Sequence, residues 1–208
     1  MTKKQRLVFC TAAVIIVAAV MLSQAVINTA VMKSDIANRV LRLHIIAEDN
    51  EPKNQLLKLC VRDRIIRDFS DIFGGCQNIG ECERAAADNL DKIKAAAEDE
   101  LIKMGNPSVV RAYIGRSEFP TKEYGKIALP RGEYTALKIE IGKGGGRNWW
   151  CVMYPPLCIT EGNAVISPES AQKLKETLSD DEYRLICDSK SPNIKIKFRI
   201  AEILGKYF

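Results

Sequence analysis

The chain has 208 residues, 47% of them hydrophobic and 27% charged, which is the balance of an ordinary globular protein. Its formal net charge is +5, and a chain starting at Val26 would carry only +2, since Lys3, Lys4 and Arg6 supply the other three. That near-balance, with no basic stripe, argues against nucleic acid as a partner.

Residues 1–25 carry the clearest signal. A short basic region from Lys3 to Arg6 precedes sixteen uncharged, mostly apolar residues, 7–22, and then the small-x-small triplet Ser23-Gln24-Ala25. These are the three parts of a secretory signal. Two readings stay open. Signal peptidase cuts after Ala25, or Ala25-Val26-Ile27 and Ala30-Val31-Met32 lengthen the apolar run into a retained N-terminal anchor of the roughly 20 residues a span needs. In both, the basic flank stays in the cytoplasm and the rest of the chain is translocated. Membrane contact is expected through this segment only. Residues 26–37 read as a spacer. Residues 38–208 read as one domain, long enough for a real core.

Residues 40–47 alternate as a strand, with Leu41, Leu43, Ile45 and Ala47 on one side and Arg42 and His44 on the other. Asn50 is a candidate cap and Pro52 a first-turn residue for a helix to about Phe73, whose stripe is Leu57, Val61, Ile65, Phe69 and Ile72. Gly74-Gly75 ends it. One further helix is predicted over residues 79–104, with Ile79, Cys82, Ala86, Leu90, Ile93, Ala97, Leu101 and Met104 at helical spacing. Residues 109–114 read as a strand, 119–125 as a turn-rich connection, and 134–141 as a second strand. The glycine-rich run 142–147 then reads as the loop of a hairpin into the aromatic strand 148–154, which Pro155-Pro156 terminates. Ser167-Pro168-Glu169 opens a helix and Ser179-Asp180-Asp181-Glu182 is a capping box for another. Residues 194–207 fit either a strand or a helix, with the balance toward helix. The fold class is α/β (α+β): helices packed on a small mixed sheet containing a hairpin.

No motif makes an active site. The one histidine, His44, is mid-strand and lacks the sequence surroundings of a cysteine-protease base. Among seven cysteines, Cys76 with Cys82 and Cys151 with Cys158 are the closest pairs, and neither has zinc-ribbon spacing. The run 142–147 lacks the phosphate-loop pattern and precedes a strand. No catalytic, metal or cofactor residue is therefore assigned. Cys151 and Cys158 flank Pro155-Pro156, and a bend there brings them within disulfide reach; two buried thiols are the alternative. Trp149 and Trp150 are adjacent on a strand, so their rings point to opposite faces. Either the outer ring is an exposed anchor for a partner, together with Arg147, or a second layer covers it.

Five segments resemble the stage II sporulation protein R family. They are Leu41-Arg42-Leu43-His44-Ile45-Ile46-Ala47, Leu57-Lys58-Leu59-Cys60-Val61-Arg62-Asp63, Phe119-Pro120-Thr121-Lys122-Glu123-Tyr124-Gly125, Leu129-Pro130-Arg131-Gly132-Glu133-Tyr134, and Asn148-Trp149-Trp150-Cys151 through Pro155-Pro156-Leu157-Cys158. Glu48-Asp49-Asn50 departs from the family's usual Asn-Ser-Asp, and the match weakens after about Gly162. The resemblance implies a signalling protein, made in the forespore and exported between the two septal membranes. There it would trigger a membrane-embedded aspartic peptidase of the mother cell that removes the pro-sequence of sporulation sigma factor E. It implies no cofactor and carries no catalytic residue. The alternative from the residues alone is an extracytoplasmic hydrolase acting on cell wall or peptide.

Overall fold

A computed structural model describes residues 2–157 and 167–188. Helix α1, Lys3–Ala37, is one unbroken rod, so residues 26–37, read as a spacer, are helical. Thr2 and Gln5 close a capping box at its start. Its apolar residues stand outside the domain, and it is the one helix among the described residues long and apolar enough to cross a membrane. Thr11, Ser23 and Thr29 each donate their hydroxyl to a carbonyl three or four residues back, so these three hydroxyls are satisfied within the helix. Only its last turn is buried, where Ile36 and Ala37 enter the core.

Strand β1, Leu41–Ile46, follows. Helix α2, Pro52–Gly74, has Pro52 in its first turn as expected, but Glu51 is the N-cap and makes no side-chain cap bond. Asn50 is used elsewhere: its Oδ1 accepts from the Arg147 backbone N–H at 2.9 Å. The predicted stripe is buried except for Ile72, which is 37% exposed; Phe73 takes the inward place. The single helix expected over residues 79–104 is two, α3 (Ile79–Asp88) and α4 (Leu90–Lys103). Asn89 breaks it: its backbone leaves helical geometry and its Nδ2 donates to the Ala85 carbonyl at 2.8 Å, the local competition that makes asparagine a poor interior helix residue.

Strand β2, Val110–Phe119, runs further than expected, because all ten of its residues pair antiparallel with β5, Gly132–Ile141. Between them, β3 (Lys122–Tyr124) and β4 (Ile127–Leu129) form a small hairpin where only turns were expected. Gly125, at φ +55°, supplies the left-handed residue of its tight turn. Strand β6 is Asn148–Tyr154. The main sheet has the order β2-β5-β1-β6, with β1 parallel to β5 and antiparallel to β6. The sheet is mixed, as expected, but β5 and β6 are not a hairpin. β1 lies between them, and residues 142–147 cross over its end. Helices α5, Pro168–Thr177, and α6, Asp180–Asp188, begin where the sequence places them, α5 capped by Ser167 and α6 by the Ser179–Glu182 box. Cys158 and residues 194–207 lie outside the described residues.

Each face of the sheet has its own core. Leu43 and Ile45 of β1, Leu137 and Ile139 of β5, and Cys151 of β6 pack against Val61, Ile65, Ile93 and Leu101 of the helices. A disulfide joins Cys76 to Cys82 beside this core, with a Cα separation of 5.6 Å. On the other face Tyr134, Ala136 and Val152 pack against Tyr124 and Leu129 of the hairpin, Ile36 of α1, and Leu174 and Ile186 of α5 and α6.

Candidate functional site around the tryptophan strand

Glycine concentrates at residues 142–147 because the chain there touches backbone. The Gly145 and Gly146 N–H groups donate to the Glu48 and Ala47 carbonyls at 3.0 and 2.9 Å. A Cβ on Gly146 would collide with the Asp49 carbonyl, and one on Gly142, at φ +57°, would lie 2.6 Å from the Glu48 carboxyl carbon. The segment is a fitted crossing rather than a loose loop. It ends at Arg147, whose carbonyl accepts from Lys58 Nζ at 3.0 Å, and it delivers β6 antiparallel onto β1.

Strand alternation then sends the two tryptophans to opposite faces. Trp149 pairs with Ile45 and packs on the helical face; Trp150 pairs with His44 and packs on the other. Both rings are half-buried, so neither stands free of the domain. Neither indole N–H has a hydrogen-bond partner among the described residues. The Arg62 guanidinium lies 4.3 Å from the Trp149 ring centre and Lys122 Nζ lies 5.9 Å from it. Lys58 is nearly enclosed beside them. Burial pulls its pKa down, and the neighbouring charges of Arg147 and Arg62 push the same way.

The opposite face holds the polar side chains of β1. Arg42 is fully buried, its guanidinium 4.1 Å from the Phe119 ring centre and 4.8 Å from that of Tyr134. Its Nη2 donates to the Tyr124 hydroxyl at 3.0 Å, and its Nη1 has no partner among the described residues. Burial raises the pKa of both phenols, Tyr134 to about 12, with the Arg42 charge opposing. His44 stacks near Trp150 and bonds through both ring nitrogens, Nδ1 to the Ser117 hydroxyl at 2.9 Å and Nε2 to Asn148 Oδ1 at 2.8 Å. Burial lowers its pKa, which favours the neutral ring. In that form Nε2–H donates to Asn148 and Nδ1 accepts from Ser117.

A hydroxyl, an imidazole and an amide in that order outline a nucleophile, its base and an orienting group. Ser117, however, sits mid-strand opposite Tyr134 in the β2–β5 ladder, not on the strand-to-helix elbow that presents a serine nucleophile. No cysteine takes part in these His44 bonds. No group of three or more His, Cys, Asp or Glu side chains that could hold a metal is found among the described residues. Of the residues the sequence singled out, Trp149 and Cys151 lie on one face, Trp150 lies on the other, and Arg147 neighbours Lys58 at the start of β6. Arg62, Lys58, Lys122 and Ser117 were missed. Each reaches the site from a distant segment, and only the motif character of the segments holding the first three marked them.

The fold and site define a mixed α/β domain, tied at its first strand to a long apolar helix and built around a tryptophan-bearing strand. The model of the family described as stage II sporulation protein R matches residues 37–164. A stage II sporulation protein R from Bacillus subtilis (strain 168) is 31% identical over 186 residues, covering 83% of each chain. The chain belongs to the stage II sporulation protein R family. No solved structure matches it.

Proposed function

We propose that this chain is an exported sporulation signal that acts by binding. Its target would be the membrane-embedded aspartic peptidase that processes the precursor of sporulation sigma factor E. Family membership across the domain carries this reading. The apolar helix α1 supports export, whether as a cleaved signal peptide or as a retained anchor into the space between the septal membranes. A protein that activates without chemistry works by differential affinity, binding the enzyme's active state better than its inactive one. The partner contact is proposed at the start of β6, with Arg147, Trp149 and Trp150 as candidates, since interface energy concentrates in aromatic and arginine anchors. The test is co-expression of the peptidase and the sigma-factor precursor with and without this chain. Processing that needs the chain supports the proposal; equal processing in its absence overturns it.

A further inference from the structure

The four cations around Trp149 are brought together from three separate parts of the chain. Lys58 and Arg62 come from α2, Lys122 from β3 and Arg147 from the crossing before β6. Arg62 and Lys122 both lie on the Trp149 ring, and Lys58 bonds the Arg147 carbonyl. Arg62 pairs with Asp63, its own neighbour in the helix, at 2.6 Å. Lys58, Lys122 and Arg147 enter no ion pair among the described residues. By contrast Arg111 and Lys138 on the same sheet both sit on Glu140.

Among the described residues these four positive charges share one ion pair, Arg62 with Asp63, and a folded domain tolerates such mutual repulsion best where an anion completes the set. Lys58 and Arg62 are 4% and 7% exposed, so their field is screened by salt less than that of surface charges. Arg147 is exposed and Lys122 and Trp149 are half-buried, so these three are the groups a partner can reach. The ring offers the flat amphipathic body favoured in interface anchors, and its N–H is a buried donor with no acceptor among the described residues.

We propose that Trp149, Lys122 and Arg147, backed by Lys58 and Arg62, form the docking surface for an acidic segment of the protein partner, its carboxylates reaching the two outer cations. This rests on the activator reading and gives its contact a face and a charge. It places Trp150, on the opposite face, outside the contact.

The experiment uses the full-length chain and the solubilised sigma-factor-processing peptidase, with binding measured across a salt series. The variants are Lys122→Glu, Arg147→Glu and the double change, at a half-buried and an exposed side chain, with folding of each checked by circular dichroism. The exposed Lys92→Glu on α4 is the control. The proposal expects wild-type affinity to fall as salt rises. It expects the double variant to bind at least about tenfold more weakly at low salt, with Lys92→Glu unchanged. Binding of the double variant within twofold of wild type, with no salt dependence, overturns the surface and leaves the activator reading standing. No binding and no activation by wild type overturns both. Loss of binding to phosphatidylglycerol vesicles with peptidase activation intact overturns the surface in favour of a lipid contact.

Discussion

The two faces of the sheet are built on different principles. The face under α2, α3 and α4 buries side chains that the sequence marks as apolar at helical or strand spacing: Leu43, Ile45, Val61, Ile65 and Ile93. The face under the β3–β4 hairpin and α6 buries Arg42 and His44, which alternation sets opposite the apolar side. The first face needs only that hydrophobic stripes meet. The second needs Phe119, Tyr124 and Tyr134, from residues 119–134, to arrive around a cation. The polar side of a strand is thus no guide to solvent when another layer supplies aromatic faces and hydroxyls.

Substitutions at Arg42 sharpen that contrast most. Arg42→Ala empties a fully buried site and is expected to cost about 3–5 kcal/mol. Arg42→Met fills most of the volume without a desolvated charge and is expected to cost less than about 1.5 kcal/mol or to stabilise. Chemical denaturation of both variants checks this. If Met is as damaging as Ala, the cation itself organises the face. On the apolar face Ile65→Ala is expected to cost about 2–5 kcal/mol through transfer and cavity terms alone.

The next largest effect concerns the cysteines. Cys151 is buried on the apolar side of β6, and a disulfide to Cys158 is expected to contribute about 2–3 kcal/mol. Mass mapping of the unreduced protein should find Cys151 joined to Cys158 and Cys76 joined to Cys82. Separate alkylation of Cys151 and Cys158 in the folded chain would leave that face stapled only at Cys76–Cys82. Gly146→Ala is expected to cost about 1–3 kcal/mol, since the new methyl meets the Asp49 carbonyl and the crossing that joins the two faces must shift. A neutral result would return residues 142–147 to the loose loop the sequence suggested.

The smallest effect is a pH dependence on the polar face. Burial depresses the folded pKa of His44 below 6.5, so the unfolded chain binds the proton more readily. The contribution of His44 to stability is therefore complete above about pH 6.5 and is lost as pH falls through the folded pKa. Denaturation midpoints should decline over that window in wild type and more gently in His44→Gln. An identical slope in both would place the titrating group elsewhere.

Much of the fold was legible because α2, β1, β5, β6 and the two capped C-terminal helices are specified by local period and punctuation. What was not legible is non-local. The glycine run 142–147 with strands on both sides is also the pattern of a hairpin, and nothing local shows that β1 occupies the space between them. Asn89 breaks a continuous apolar stripe with one side-chain hydrogen bond, too small a signal beside eight helical positions. At the site, Arg147 and Trp149 were visible as residue types. Their company of Lys58, Arg62 and Lys122 depends on which face Trp149 takes, and strand alternation does not choose between faces.

The central claim is that the chain signals by binding rather than by turnover. The direct measurement titrates full-length chain against a fixed amount of peptidase in proteoliposomes and follows processing of the sigma-factor precursor. It is run with wild type and with folded Ser117→Ala and His44→Gln. The account predicts that processing rises with added chain, saturates at a fixed molar ratio to the peptidase, and reaches the same plateau with both variants. Full processing from a trace of wild type, abolished by Ser117→Ala, would contradict it and make the Ser117–His44–Asn148 set an active site.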